Sequence, residues 1–174
     1  MRVVAGELGG RSLETPKGAD VRPTADRVRE AVFSILGEVE GARVLDLYCG
    51  TGALAIEAIS RGADSAVLVD TDPAVARRNV DSLGVAERCS VVRADAIRYL
   101  TREQDRFDLV FCDPPYKLAD RLGPEFDKLV PDRLAEGGRV ILESDVRRPL
   151  ELDLPLQVER GYGDTLIRVH RAAS

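Results

Sequence analysis

Five short, near-continuous apolar runs recur along the chain: Arg43 to Leu47, Ala66 to Asp70, Ser90 to Arg93, Asp108 to Cys112 and Arg139 to Glu143. They are rich in β-branched residues, and helical stretches lie between them. A strand that is apolar on both faces must be covered on both, as happens in a parallel sheet whose crossover helices pack on its two sides. The pattern therefore predicts a doubly wound α/β domain. The length of 174 residues suits one such domain.

The helix signals fit between the runs. One helix is predicted from near Gly52 to Arg61, with Gly62 as its stop. The next has Asp72 as a cap, Pro73 in first position, an apolar stripe of Ala76, Val80 and Leu83, and Gly84 at its end. After the fourth run, Leu118, Leu122, Phe126, Leu129 and Leu134 form a broken stripe that Pro124 and Pro131 divide and Gly137-Gly138 ends. Residues 156 to 160 and 165 to 169 alternate around Gly161 to Asp164, predicting an antiparallel hairpin that closes the sheet. Near the start, Thr24 is placed to cap a helix carrying Val28, Ala31, Val32 and Ile35 and ended by Gly37. Residues 1 to 23 read as a short strand pair or an arm. The expected division is an N-terminal arm and helix over 1–37 and a main domain over 38–174.

Composition removes several function classes. No apolar run approaches the roughly 20 residues that span a bilayer, and the first ten residues lack the apolar core of a signal peptide, so a cytoplasmic protein is expected. Cys49, Cys89 and Cys112 are widely spaced and His170 is the single histidine, a poor basis for a disulfide framework, a zinc site or a Ser-His-Asp triad. No metal site is expected. The net charge of −5 argues against a simple polycation. Residues 1 to 29 nevertheless hold six basic residues against four acids, which makes this part the candidate polyanion-facing surface.

In an open α/β sheet, ligands bind beyond the carboxyl ends of the strands, commonly after the first. That place is Asp46-Leu47-Tyr48-Cys49-Gly50-Thr51-Gly52, and Ala55 completes a G-x-G-x-x-A pattern. Gly50 and Gly52 let a ligand approach backbone. Asp70 follows 18 residues after Gly52, at the end of the second run, where an acid can hold two ribose hydroxyls. A dinucleotide would bring its pyrophosphate against Asp46 and be repelled. S-adenosylmethionine (SAM) carries an ammonium and a sulfonium, and both would be attracted. Asp95 and the Ala96 amide follow the third run, placed to meet an adenine; Asp72 and Asp95 also read as plain helix caps.

The fourth run ends in Asp113-Pro114-Pro115-Tyr116. Two prolines fix two φ angles and remove two amide donors, so the loop offers the Asp113 carboxylate and the Pro114 carbonyl as acceptors. Two acceptors on the N–H bonds of an exocyclic base amine bias it toward sp³ geometry. Tyr116 offers a face for the base to stack on.

These two motifs together resemble class I SAM-dependent amino-methyltransferases. The segment Arg22-Pro23-Thr24-Ala25-Asp26-Arg27-Val28-Arg29-Glu30, with Arg2-Val3-Val4-Ala5-Gly6 and Gly10-Arg11, narrows the resemblance to the bacterial 16S rRNA guanine(966)-N2 methyltransferases of the RsmD type. It covers nearly the whole chain, and Tyr48-Cys49 departs from the Phe-Ala-like pair expected there. The resemblance implies a Rossmann-like, mostly parallel seven-stranded sheet with the C-terminal hairpin, and a cytoplasmic monomer acting on 16S rRNA of the assembling 30S subunit, with no membrane and no metal. It implies Asp113, Pro114, Pro115 and Tyr116 as catalytic residues. Asp46, Tyr48, Gly50, Gly52, Asp70, Asp95 and Ala96 would bind SAM, and Arg2, Arg11, Arg22 and Arg27 would bind RNA. Arg27 and Arg29 lie about 200° apart on a helix, so one faces RNA or the cleft while the other pairs with Asp26 or Glu30. Cys49 and Cys112 read as small core residues, not nucleophiles.

Three rivals differ in class. An adenine-N6 methyltransferase on DNA or RNA shares both motifs, but on DNA it would want a target-recognition region that this length does not hold. A nicotinamide oxidoreductase conflicts with Asp46. A non-catalytic RNA-binding subunit has no use for Asp113 before two prolines.

Overall fold

A computed structural model describes residues 1–16, 23–115 and 119–173. Seven strands form one sheet in the order β3-β2-β1-β4-β5-β7-β6. Strands β1 (Arg43–Leu47), β2 (Ser65–Asp70), β3 (Cys89–Arg93), β4 (Phe107–Cys112) and β5 (Leu134–Asp145) run parallel. Strand β7 (Thr165–Arg171) is antiparallel to both β5 and β6 (Leu156–Tyr162), which is the expected hairpin. The strand order reverses between β1 and β4, and that switch point opens the cleft at their carboxyl ends.

Alternation along each strand builds two cores. Val44 of β1, Leu109 and Phe111 of β4 and Ile141 of β5 pack toward α1 (Pro23–Leu36), α2 (Ala53–Ser60) and α3 (Ala74–Leu83). Leu45 and Leu47 of β1, Val110 and Cys112 of β4 and Leu142 of β5 pack on the other face, toward α4 (Ala96–Arg102) and α5 (Ala119–Leu129). Phe33, Phe111 and Phe126 are almost wholly enclosed, and a side chain of that size contributes about 1.5 to 3 kcal/mol when fully buried.

The N-terminal segment joins the first core through Val3, Leu8 and Leu13. Its backbone is fastened to α2: the Val4 and Ala5 amides donate to the Glu57 carboxylate at 2.7 and 3.0 Å, and the Glu7 amide donates to the Ser60 carbonyl. Gly6 makes the close approach possible. It has φ +81°, and a Cβ there would lie 1.8 Å from the Ser60 carbonyl oxygen. Of the strand pair expected here, one antiparallel bridge between Arg2 and Ser12 is present.

Several boundaries differ from expectation. Helix α1 begins at Pro23, so Thr24 lies inside it and is not its cap. Pro73, not Asp72, occupies the cap position of α3: the Pro73 carbonyl accepts the first helical bond, from the Arg77 amide at 3.0 Å, while the Asp72 amide donates to the Asp70 carboxylate. Leu134 ends no helical stripe: α5 stops at Leu129, a 3-10 turn covers Pro131–Arg133, and β5 already starts at Leu134. An irregularity in the β4–β5 register absorbs Gly137-Gly138 within the strand, which runs 12 residues and not five. No helix among the described residues is long and apolar enough to cross a membrane.

Candidate active site

The turn after β1 is shaped by backbone that few residues tolerate. Gly52 has φ +77°, and a Cβ there would lie 2.7 Å from Leu68 Cδ2 and 3.3 Å from the Ala76 Cβ. Only glycine lets α2 start this close to β2 and α3. Tyr48 also lies in the left-handed region at φ +61°, unusual for a bulky side chain. Its ring meets Phe126 edge-on, with centroids 6.5 Å apart, which holds it on the α5 side. Burial pushes the Tyr48 hydroxyl well above its ordinary range.

Asp70, at the end of β2, organises this turn. One carboxylate oxygen accepts from the Gly50 amide at 2.9 Å and the other from the Asp72 amide at 2.9 Å. Asp46 stands one strand away and is 2% exposed. The Ala55 amide donates to its Oδ2 at 3.1 Å, yet burial raises the carboxyl to about 7, with Asp113 and Asp70 adding repulsion. A buried carboxyl in this condition is suited to a cationic partner.

A cavity of about 220 Å³ opens here, lined by Asp46, Tyr48, Gly50 and Asp113 from the sequence-predicted set. Met1, Val28, Arg29 and Val32 form its opposite wall. Asp113 follows β4 directly and is open to solvent, while Pro114 is buried and Pro115 exposed. Protein packed behind Asp113 raises its carboxyl above the ordinary range. Tyr116 lies outside the described residues. A larger cavity of about 400 Å³ between β3 and α4 contains Asp95 but neither Asp46 nor Asp113, so size does not mark the centre of the chemistry. Asp95 caps α4, accepting from the Arg98 amide at 3.0 Å, and Ala96 is buried behind it.

The arginines separate by burial. Arg27 is exposed and Arg29 is 4% exposed, paired with Asp26 at 3.1 Å and Glu57 at 3.5 Å and donating to the Arg2 carbonyl. Arg2 and Arg11 are exposed; they reach the Gly10 and Ser82 carbonyls. Arg22 lies outside the described residues. Cys49 and Cys112 are buried with thiols pushed above their ordinary value by burial, which leaves no thiolate nucleophile.

Sequence reasoning missed two carboxylates. Glu57 is fully buried and anchors the N-terminal segment together with Arg29 and Arg61. Glu143 lines the cavity beside Asp113, and burial with that neighbour's charge raises its carboxyl. An acid closing the apolar run Val140 to Leu142 was the available signal, meaningful once β5 is known to flank β4.

A family model described as "Conserved hypothetical protein 95" matches residues 1–170. The chain is 36% identical to ribosomal RNA small subunit methyltransferase D of Escherichia coli (strain K12), over 86% of this chain and 77% of that one. It is 34% identical to the YlbH protein of Bacillus subtilis (strain 168), which carries an rRNA methyltransferase name, over 98% of each chain. Among solved structures, the Escherichia coli protein YhhF superposes with a TM-score of 0.86 at 32% identity, covering 100% of this chain and 98% of that one.

Proposed function

The chain belongs to the conserved hypothetical protein 95 family, and from that membership and the carboxylate-lined cleft we propose that it methylates the exocyclic N2 amine of a guanine in 16S rRNA with SAM as donor. The observation that carries this reading is the position of Asp113-Pro114. They follow the central strand β4 at the switch point, and Asp113 lines the cavity that the buried Asp46 also lines. The likeness to small subunit methyltransferase D supports the rRNA substrate.

The donor set fits SAM. Asp46 offers a desolvated carboxyl for the ammonium, the Gly50–Gly52 turn offers backbone, and Asp70, which braces that turn, would meet the ribose. Asp95 and Ala96 would border the adenine, and Tyr48 would wall the cofactor side. When bound, SAM supplies an electrophilic methyl whose bond to sulfur breaks, leaving a neutral thioether, as the bond to nitrogen forms. Asp113 and the Pro114 carbonyl accept the two N–H bonds of the amine and free its lone pair. Tyr116 would stack the base. The surplus proton then leaves nitrogen along the hydrogen bond to Asp113, whose raised proton affinity suits it to take that proton. Rate comes mainly from alignment. Arg27, Arg22, Arg2 and Arg11 would contact phosphates, and the protein would act as a monomer without metal.

Tritium transfer from methyl-labelled SAM to naked 16S rRNA, assembled 30S particles and DNA tests this. Incorporation into ribosomal RNA in either form, and not into DNA, is expected; labelling of DNA alone would overturn it.

A further inference from the structure

Asp-Pro-Pro-Tyr can grip any exocyclic base amine, so it does not choose between guanine and adenine. A second group in the cleft can. The parallel register pairs Phe111 with Ile141 and Cys112 with Leu142, and continued by one step it sets Asp113 opposite Glu143. Phe111 and Ile141 share the core facing α1, so side-chain alternation places Asp113 and Glu143 on that same face. Adjacent strands lie about 5 Å apart. Both residues line the cavity, and among the described residues none donates a hydrogen bond to the Glu143 carboxylate.

We propose that Glu143 selects guanine by accepting the N1–H that adjoins the amine held by Asp113. This rests on the functional reading above and extends it to the choice of base. Guanine presents N1–H and the N2 amine as neighbouring donors, matching two neighbouring carboxylates. Adenine presents a lone pair at N1 beside its amine, which a carboxylate repels. The arrangement of donors compensates the two carboxylates for lost water, and Arg29 on the cavity wall is already committed to Asp26 and Glu57.

The test, run at pH 9 so that the Glu143 carboxyl, raised to about 8 by burial and Asp113, is ionised, uses target RNA carrying guanine or 2-aminopurine at the methylated position. Both have the 2-amino group, and 2-aminopurine has a lone pair in place of N1–H. The wild-type protein, Glu143→Ala and Glu143→Gln are compared by kcat/KM for each RNA and by competition binding read from 2-aminopurine fluorescence, which does not require turnover. The wild type is expected to prefer guanine by about tenfold or more, the range of one well-made base-edge contact. Both variants should bring the ratio to within about threefold, Gln most strongly because its amide can donate to the N1 lone pair. If a variant does not turn over, the binding ratio decides. A guanine preference kept in both variants overturns the role of Glu143 and leaves the function standing. Absence of methyl transfer to guanine RNA by the wild type removes the functional reading itself.

Discussion

Replacing Asp46 with Asn should move stability and cofactor affinity in opposite directions. The carboxyl is wholly enclosed and raised from 3.8 to about 7, chiefly by burial. That difference amounts to about 4 kcal/mol held against the ionised form, at about 1.4 kcal/mol per tenfold change in proton affinity. Between these two values the folded chain holds a proton that the unfolded chain has released, so this group makes stability fall as pH rises from about 4 to about 7. Asn keeps an oxygen for the Ala55 amide and carries no charge. At pH 8, Asp46→Asn should therefore stabilise the cofactor-free protein by about 1 to 4 kcal/mol, allowing for relaxation around the ionised group. At pH 5 the gain should be smaller, because the buried carboxyl is still protonated. SAM binding should weaken about tenfold or more at pH 8, since an ion pair with the ammonium is lost. Urea unfolding at the two pH values and titration calorimetry measure both effects. Equal stability of variant and wild type at pH 8, with unchanged SAM affinity, would refute the reasoning.

The other predictions follow from single contacts. Asp70→Ala should weaken SAM binding by about 1 to 3 kcal/mol and loosen the turn at Gly50; calorimetry giving wild-type affinity would take Asp70 out of the site. Asp113→Ala should lower the single-turnover rate at least about a hundredfold while SAM affinity stays within a few-fold, as expected for a group acting on the amine; a near-wild-type rate contradicts the alignment role. Glu57→Ala removes the acceptor of the Val4 and Ala5 amides and one of the two carboxylate partners of the buried Arg29, so it should cost about 3 to 5 kcal/mol in urea unfolding. Faster amide exchange at residues 4 and 5 should accompany it, and a loss below about 1 kcal/mol would mean that Glu57 is no anchor.

Much of the sheet was legible because parallel strands buried on both faces leave unbroken apolar runs, and β1 matches its run from Arg43 to Leu47. Asp70 and Asp113 were legible for a related reason, since an acid closing or following such a run stands out, and Asp46 because it stands just before the Gly50–Gly52 turn. Strand β5 was misjudged because Gly137-Gly138 reads as a stop, whereas the register irregularity that absorbs it depends on β4 alongside. The positive φ of Tyr48 has no local signature. Glu57 sits in an ordinary helical sequence and acquires its role only when residues 4 and 5 fold back onto it. Glu143 needed strand order as well as strand identity.

The central claim is tested most directly by the chemical identity of the methylated nucleoside. Ribosomal RNA treated with the protein and isotopically labelled SAM is digested to nucleosides and separated by mass spectrometry against standards. The account predicts N2-methylguanosine, absent when Asp113→Ala replaces the wild type. Label in N6-methyladenosine or 5-methylcytidine would contradict it.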